Sequence, residues 1–278
     1  MKRNKSLNIH VQKIPALPTL PVVAQEILML LDDDLVSINK LENIIENDPA
    51  IAARILSLAN SAFWKTAPVR TLGEAIFRIG FNGVRYLAVG ISLMTLFDAG
   101  KNKVAYQKIY NHSVAAGFVS KMLSEHLRTG ISDEIWISGM LHDLGIMVLN
   151  RYFSDSYSKV LKMLENGTPL LEAEREALDF THAEIGSWLA EEWNLPGTTI
   201  QATLYHHEPS AAVEYVGHVA VVHIADYLTA RYVLSPTAHD PRYPFEADSL
   251  AIIGLSDEDM KDIEMQIQKG ELFRKLFQ

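Results

Sequence analysis

The sequence lacks cysteine altogether, and it also lacks any long hydrophobic run. Without a thiol, the chain cannot form a disulfide, a zinc–thiolate centre or a cysteine nucleophile. Its longest apolar run, Leu87–Phe97, is interrupted by Gly90, Ser92 and Thr95 and is too short to span a bilayer. Residues 1–12 are polar and basic and do not contain the apolar core of a signal peptide. We therefore expect a cytoplasmic protein that makes no membrane contact.

Positive charge is scarce as well. The 278 residues include 25 Lys and Arg against 34 Asp and Glu, which gives a net charge of −9 at pH 7. Nucleic acids and anionic membranes attract positive surfaces, so we expect no general nucleic-acid binding. Hydrophobic residues make up 48% of the chain, which is enough to build one large core or two modest ones.

Alternating strand patterns are missing, whereas helical periodicity and helix-capping residues are frequent. Thr71-Leu-Gly-Glu74 and Thr181-His-Ala-Glu184 have the pattern of a capping box, and Asp48 precedes a proline at a first helical position. The sequence therefore predicts an all-α fold. The predicted helices span residues 21–31, 38–46, 49–63, 71–79, 82–97, 103–127, 133–151, 154–165, 169–179, 182–192, 197–206, 215–231 and 257–277.

A short polar break divides the predicted helices into two groups. The segment Asp98-Ala-Gly-Lys-Asn-Lys103 separates two long helical patterns. We therefore assign residues 1–100 to an N-terminal helical subdomain and residues 101–278 to a second helical subdomain. A further irregular stretch, residues 235–256, contains three prolines and is predicted to be a long loop.

The strongest chemical signal is the pair His142-Asp143, because it lies in an otherwise apolar segment. Apart from this pair, residues 136–149 contain only Ser138 and two glycines among hydrophobic side chains, so the segment should cross a core. An ionised carboxylate buried there costs on the order of several kcal/mol unless a cation compensates it. We therefore expect the chemistry of the chain at this pair.

Further polar residues should face the same core or lie at its helix ends, as judged from helical periodicity. A lone histidine on an apolar face is more often a hydrogen-bonded core residue than a ligand. Together with His142 and Asp143, however, the set offers five imidazoles and two carboxylates on five predicted helices. His218 and His223 share the predicted helix of Asp226, and His223 lies one turn from that aspartate. His223 could support a ligand from behind, but we expect a surface or packing role for it. The five further residues are His112, His182, His206, His207 and Asp226.

Nitrogen and oxygen donors without thiolate suit one or two divalent transition ions, namely iron, manganese, zinc or nickel. In the usual arrangement of a two-metal hydrolase, Asp143 would bridge two ions about 3.5–4 Å apart. The alternative is a structural polar network that only stabilises the helical bundle. The residues by themselves leave both interpretations open.

The order of the seven residues along the chain resembles that of the metal-dependent HD phosphohydrolase superfamily, especially the branch that includes the HD-GYP cyclic-di-GMP phosphodiesterases. The first half narrows the resemblance to the HDOD module, an HD-related output domain of bacterial signalling proteins. This resemblance spans about residues 14–230 and implies an N-terminal helical subdomain packed on an HD-like, metal-binding bundle. Four segments carry the likeness in the first half: Leu17-Pro-Thr-Leu-Pro21, Asn47-Asp-Pro49, Leu58-Ala-Asn-Ser-Ala62 and Ala75-Ile-Phe-Arg-Ile-Gly80.

The sequence departs from active HD-GYP enzymes in two places. Ile146 occupies the position after His-Asp-Leu-Gly where those enzymes usually carry a lysine that helps to bind phosphate. The Gly-Tyr-Pro element that shapes their nucleotide site is missing after His206-His207-Glu208. Our main hypothesis is therefore a bacterial signal-transduction module with a metal site, which acts mainly by binding a signalling protein or a nucleotide or phosphoester ligand.

Two other hypotheses remain. The chain could be a metal-dependent phosphohydrolase or cyclic-dinucleotide phosphodiesterase, in which His142 and Asp143 would be the catalytic pair. It could also be a scaffold whose buried histidines only stabilise the bundle. Four basic side chains are candidates for meeting a phosphate, although we expect them to be exposed and solvated. They are Arg54, Arg78, Arg85 and Lys162.

Overall fold

The computed structural model describes residues 14, 18–30, 37–61, 64, 67–98, 103–127, 131–234 and 245–269. These residues form helices and contain no β-strand, which confirms the predicted all-α fold. Within the same ranges, no helix combines the length and the hydrophobicity that crossing a membrane requires.

The described residues of the first half form five helices. The capping box predicted at Thr71 is present, and the Asp48 carboxylate accepts hydrogen bonds from the backbone N–H groups of Ala50 and Ile51. These local interactions fix where two of the helices begin. The five helices are α1 (Val22–Met29), α2 (Ile38–Glu46), α3 (Pro49–Ala59), α4 (Leu72–Ile79) and α5 (Phe81–Thr95).

The second half is a bundle built around one long helix. It contains α6 (Lys103–Leu127), α7 (Ile135–Leu141), α8 (Leu144–Tyr152), α9 (Ser154–Glu165), α10 (Leu170–Leu178), α11 (His182–Glu192), α12 (Gly197–Tyr205), α13 (Val216–Thr229), α14 (Asp248–Ile253) and α15 (Asp257–Lys269). A 3₁₀ turn, Pro209–Ala211, precedes α13, and a π turn, Ala230–Leu234, follows it.

Helix α5 is buried along most of its length because it lies between the two halves. It packs against α1 on one side and α7 on the other. Next to this contact, Trp136 of α7 meets Phe118 of α6 edge-on, with ring centroids 4.7 Å apart. The apolar run Leu87–Phe97 is therefore part of a protein core.

Two close crossings between helices determine the position of the α7–α8 junction. Helix α6 crosses α7 where a Cβ at Gly139 would lie 2.9 Å from the Cα of Gly117. Helix α8 crosses α11 where a Cβ at Gly145 would overlap the carbonyl oxygen of His182. Only glycine permits such an approach of two backbones. The junction, which carries His142 and Asp143, is thereby pressed against both α6 and α11.

The single helix predicted over residues 133–151 was wrong, because it is broken at the pair His142-Asp143. Helix α7 ends at Leu141, α8 begins at Leu144, and Asp143 between them has φ −93° and ψ 17°. Both parts remain buried, so the apolar pattern continues across the break and conceals it.

Other predicted bounds also need correction. The helix predicted over 49–63 ends at Ala59, where the side-chain amide of Asn60 pairs with the backbone of Val69 at 2.7 and 2.9 Å. The loop predicted over 235–256 was wrong in part, since α14 lies within it; residues 235–244 are outside the described ranges. Residues 270–277 of the last predicted helix lie outside them too.

Candidate metal centre

The seven predicted site residues come together in one buried cluster at the middle of the second half. Their relative exposures lie between 0 and 8%. Helix α6 supplies His112, the α7–α8 junction supplies His142 and Asp143, and the start of α11 supplies His182. The other three residues are His206 and His207 at the end of α12 and Asp226 on α13.

The cluster consists of two adjoining groups of side chains. Asp143, His182, His206 and His207 form one, and His112, His142 and Asp226 form the other; within each group the candidate ligand atoms lie within 4.8 Å of one another. Each group would be able to hold one ion.

Asp143 faces both groups, with one carboxylate oxygen toward each. Its Oδ1 lies 3.5 Å from Nε2 of His182 and 3.6 Å from Nε2 of His206. Its Oδ2 lies 3.4 Å from Nε2 of His142 and 3.6 Å from Nε2 of His112. A carboxylate in this position would be able to contact an ion in either group.

Asp226 belongs to the second group, with His112 and His142. Its Oδ1 lies 2.8 Å from Nε2 of His112 and 3.4 Å from Nε2 of His142, and these two nitrogens are 3.3 Å apart. One carboxylate oxygen and two imidazole nitrogens thus point at the same small volume. Together with Oδ2 of Asp143, these three donors form a ligand set typical of a transition metal.

Hydrogen bonds on the far side of three rings determine which nitrogen of each ring faces the cluster. Nδ1 of His142 donates to the carbonyl of Gly139 at 2.7 Å, and Nδ1 of His206 donates to the carbonyl of Thr203 at 2.9 Å. Nδ1 of His182 donates to a carboxylate at 2.8 Å. Since these acceptors have no proton to give, each Nδ1 carries a hydrogen and each neutral ring turns the lone pair of Nε2 inward.

The Nε2 atoms that face the cluster lie so close together that their lone pairs repel one another when the rings are neutral. Nε2 of His182 is 3.2 Å from Nε2 of His206 and 3.1 Å from Nε2 of His207. With their tautomers fixed by the outer hydrogen bonds, neutral His182 and His206 would place two lone pairs face to face. A cation ligated by these nitrogens removes the repulsion, so the side chains fit a divalent metal ion.

The electrostatics of the cluster favour positive charge at one end and neutral imidazole at the other. Burial by itself lowers the pKa of His142, yet the carboxylates of Asp143 and Asp226 raise it well above its ordinary value. Burial, together with the rings of His206 and His182, holds the pKa of His207 well below the ordinary value. Neutral imidazole is the form that ligates metals.

The carboxyl groups stay ionised in spite of their burial. Burial tends to raise the pKa of Asp143, but His142 lowers it well below the ordinary value by charge and hydrogen bonding. The pKa of Asp226 is lowered as well, against the same effect of burial, by His142 and His112. The cluster therefore presents ionised oxygen donors without a change of protonation.

The sequence analysis missed Glu174 on α10, which positions a histidine of the cluster. Glu174 is fully buried, and its Oε2 accepts both the backbone N–H and the Nδ1–H of His182 at 2.8 Å. A carboxylate behind a ligating imidazole fixes the ring and raises its basicity. The signal was present in the sequence, because Glu174 falls between Leu170 and Leu178 at a spacing of four residues.

His223 is packed inside the bundle rather than at its surface, and it also supports a residue of the cluster from behind. The side chain is buried, its Nδ1 donates to the carbonyl of His206 at 2.7 Å, and its Nε2 accepts the backbone N–H of Glu246 at 2.9 Å. His223 therefore holds the turn that carries His206. His218 is buried as well, and it contacts Ser138 rather than the cluster.

The remaining predicted residues lie apart from the cluster. His126 is exposed and lies 3.8 Å from Asp259. Arg54 stacks on Tyr110, Arg78 hydrogen-bonds backbone carbonyls, and Lys162 is exposed. The expectation of an exposed side chain was wrong for Arg85, which is buried and donates to the carbonyl of Leu30.

A family model for the HDOD domain matches residues 17–209, which is more than half of the chain. The chain belongs to the HDOD family. The matched range contains six of the seven cluster residues, and Asp226 lies beyond it. This HDOD chain thus completes its cluster with a residue from outside the matched region.

Solved structures share the fold of this HDOD protein. An HDOD domain protein with unknown function from Geobacter sulfurreducens is 22% identical with a TM-score of 0.76, and the match covers 98% of this chain and 91% of the other. A "Putative phosphohydrolase" from Shewanella amazonensis SB2B is 20% identical with a TM-score of 0.78, covering 98% and 97%. A "Putative signal transduction protein" from Marinobacter aquaeolei VT8 is 21% identical with a TM-score of 0.75, covering 98% and 63%.

Among curated proteins, an uncharacterized protein of Treponema pallidum (strain Nichols) is 27% identical over 235 residues. The match covers 82% of this HDOD chain but only 45% of the relative, so the chain spans less than half the length of the curated relative that it matches.

Proposed function

We propose that this HDOD protein is a bacterial signal-transduction module whose buried centre binds one or two divalent transition-metal ions, and that it acts mainly by binding a ligand or partner. The observation that carries the proposal is the convergence of the Nε2 atoms of His142, His182 and His206 on the carboxylate of Asp143, because imidazole nitrogens and a carboxylate form a ligand set for a transition metal. The name of the Marinobacter relative points to the same role.

Each residue of the centre has a defined part in this proposal. His182, His206 and His207 would hold one ion, His112, His142 and Asp226 would hold the other, and Asp143 would contact both. When bound, such an ion supplies Lewis acidity toward a phosphate oxygen or a water molecule. Glu174 and His223 keep the rings of His182 and the turn of His206 in place.

Catalytic turnover is the second candidate function, and the intact ligand set favours it. The Shewanella relative is named as a phosphohydrolase of the same fold. Against turnover, the side chain after His-Asp-Leu-Gly is the partly buried, uncharged Ile146. A phosphate near the centre would thus lack the cation that this position supplies in the HD-GYP enzymes.

Metal analysis of the full chain tests the proposal. Protein purified without a histidine tag should contain between one and two equivalents of iron, manganese, zinc or nickel, and Asp143→Asn should lower this content because it removes the shared ligand. Asp262→Asn, an exposed change on α15, is the matched control and should keep the metal. A folded wild-type protein that takes up none of these metals and keeps its Tm in chelator would refute the metal centre and leave the scaffold hypothesis.

A panel of nucleotides and phosphoesters, assayed with added Mn²⁺ or Fe²⁺, separates the two functions. Our proposal expects metal-dependent binding without turnover. Hydrolysis that disappears in Asp143→Asn and persists in Asp262→Asn would make the protein a phosphohydrolase, with His142 and Asp143 as the catalytic pair.

A further inference from the structure

A second cavity lies outside the metal centre, between the two halves of the chain. It is an open cleft of about 710 Å³ whose walls include Leu28 of α1, Tyr86 of α5 and Gly197 at the start of α12. Its volume falls in the range of small-molecule sites, about 300–1,000 Å³. None of the seven cluster residues lines it.

One buried polar group of the cleft is the imidazole of His218. Its Nε2 lies 2.9 Å from Oγ of Ser138, and the Ser138 hydroxyl donates to the carbonyl of Glu134 at 3.1 Å. Oγ of Ser138 also lies 3.0 Å from Oγ1 of Thr199, and either hydroxyl can donate in that contact. Ser138 thus engages Nε2 of His218, and Nδ1 is the ring nitrogen left for a ligand. Nδ1 makes no hydrogen bond to any residue that the structure describes. Burial lowers the pKa of His218 to about 4, so the ring is neutral at pH 7.

Glu134 supplies an acceptor in the same cleft. Oε2 of Glu134 accepts a hydrogen bond from the Thr198 hydroxyl at 2.6 Å, whereas its other oxygen has no hydrogen-bond partner among the described residues. The described lining contains no lysine or arginine. The cleft therefore offers a free carboxylate oxygen and a free ring nitrogen without a basic side chain in its described lining, a combination that repels phosphate and carboxylate and favours a ligand with N–H donors.

One wall of the cleft is an aromatic face held in an uncommon backbone conformation. Tyr215 has φ 54° in the left-handed region, and its side chain is 50% exposed. Its ring lies against Gly197, where a Cβ would be 3.2 Å from the ring edge. Non-glycine residues in this region are strained and are concentrated at ligand sites. An exposed tyrosine beside acceptors suits a flat ligand that stacks on it.

We propose that this cleft binds an uncharged, planar nitrogen heterocycle that carries an amino group and has the size of a nucleobase. The flat ring stacks on Tyr215, its amino group donates to the free oxygen of Glu134, and Nδ1 of His218 offers a further polar contact. The site does not depend on the metal centre, so it stands whether or not the function proposed above is correct.

Calorimetric titration of the full chain with free nucleosides at millimolar concentration tests this site. Adenosine, guanosine and cytidine carry an amino group on the base, and uridine is the control without one. At least one of the first three should bind, and uridine should bind more weakly. The 5′-monophosphate of the nucleoside that binds should also bind more weakly, because the carboxylate of Glu134 repels the phosphate and the described lining has no lysine or arginine.

Two variants test whether the nucleoside binds in this cleft. Glu134→Gln should weaken binding at least about tenfold, as expected for the loss of a hydrogen bond to a charged group, while the amide oxygen can still accept from Thr198. Tyr215→Gly should abolish binding and keep the Tm of the wild type, since glycine adopts the same φ without strain. Glu214→Gln, an exposed neighbouring change, is the matched control and should bind as the wild type does.

Three outcomes would overturn the proposal. The first is that no nucleoside binds at millimolar concentration. The second is that binding persists unchanged in both Glu134→Gln and Tyr215→Gly. The third is that binding is lost in Asp143→Asn and retained in the two cleft variants, which would move the ligand to the metal centre.

Discussion

Glu174→Gln is the sharpest test of how the metal centre is built. The carboxylate of Glu174 lies outside the seven ligands, yet it accepts two N–H bonds from His182 at 2.8 Å. Burial lowers the pKa of His182, but the charge and hydrogen bond of Glu174 raise it above the ordinary value. The variant keeps the size of the side chain and removes its charge, so it isolates the effect of Glu174 on the basicity of His182.

The expected magnitude follows from the two hydrogen bonds. Bonds to a charged group contribute about 1.5–3 kcal/mol each, and neutral ones contribute about 1 kcal/mol. Loss of the charge therefore costs about 1–4 kcal/mol over the pair. Removal of the hydrogen-bond partner behind a ligating histidine typically weakens metal binding by about 10–100-fold, or about 1.4–2.7 kcal/mol. We expect a loss of metal affinity in that range for Glu174→Gln.

Competition with a coloured chelator measures this affinity on the full chain. Glu176→Gln, an exposed change on the same helix, alters the net charge equally and should leave the Kd for metal unchanged. Equal affinities for wild type, Glu174→Gln and Glu176→Gln would refute the reasoning, because Glu174 would then have only a structural role. A loss of stability without a loss of affinity would lead to the same conclusion.

Three further predictions concern stability and are measured by urea unfolding or by the Tm. Removal of bound metal with a chelator should lower the free energy of unfolding by about 2.7 kcal/mol, relative to protein at a metal concentration of 100 times Kd; an unchanged value would contradict a metal bound to the folded state. Gly145→Ala should destabilise the fold by about 3 kcal/mol or more, because the new Cβ overlaps the backbone of His182. Gly217→Ala has open space around the new Cβ and should stabilise the fold by up to about 1 kcal/mol. Similar effects of the two changes would contradict the close crossing. The folded pKa of His218, about 4, lies below its unfolded value of 6.5, so its contribution is present above pH 6.5 and is lost as the pH falls toward 4. Between pH 7 and pH 5 the wild type should lose about 2 kcal/mol more than His218→Gln, and parallel pH profiles would exclude a buried neutral ring.

The helices could be predicted from the sequence wherever local signals decide their ends. The capping box at Thr181 fixes the start of α11, and the predicted span 182–192 is the observed one. The break between α7 and α8 could not be predicted in this way, because the residues on both sides of Asp143 are apolar and continue one helical pattern. Its cause is tertiary: Gly145 must approach the backbone of His182 closely.

The members of the site could be predicted, but the residues behind them could not. Buried-face periodicity found His112 and Asp226 because each polar residue interrupts an apolar stripe. The same reasoning applied to α10 would have found Glu174, but its helix is otherwise rich in charge and looked like a surface helix. For His223 the sequence leaves a supporting role and a packing role open, since its two hydrogen-bond partners are backbone groups of distant segments, and no pattern along one helix reveals those.

The charge balance of the cluster links metal binding to the fold. Three buried carboxylates, those of Asp143, Asp226 and Glu174, face five imidazoles in a volume that water scarcely reaches. Without metal, the charge must be balanced by protons, and only some of the rings can accept them, because burial and neighbouring rings hold the pKa of His207 well below its ordinary value. A divalent ion offsets two negative charges at once and lets every ring stay neutral. Since the ligands come from five separate parts of the bundle, a bound ion would also hold α6, α8, α11, α12 and α13 together.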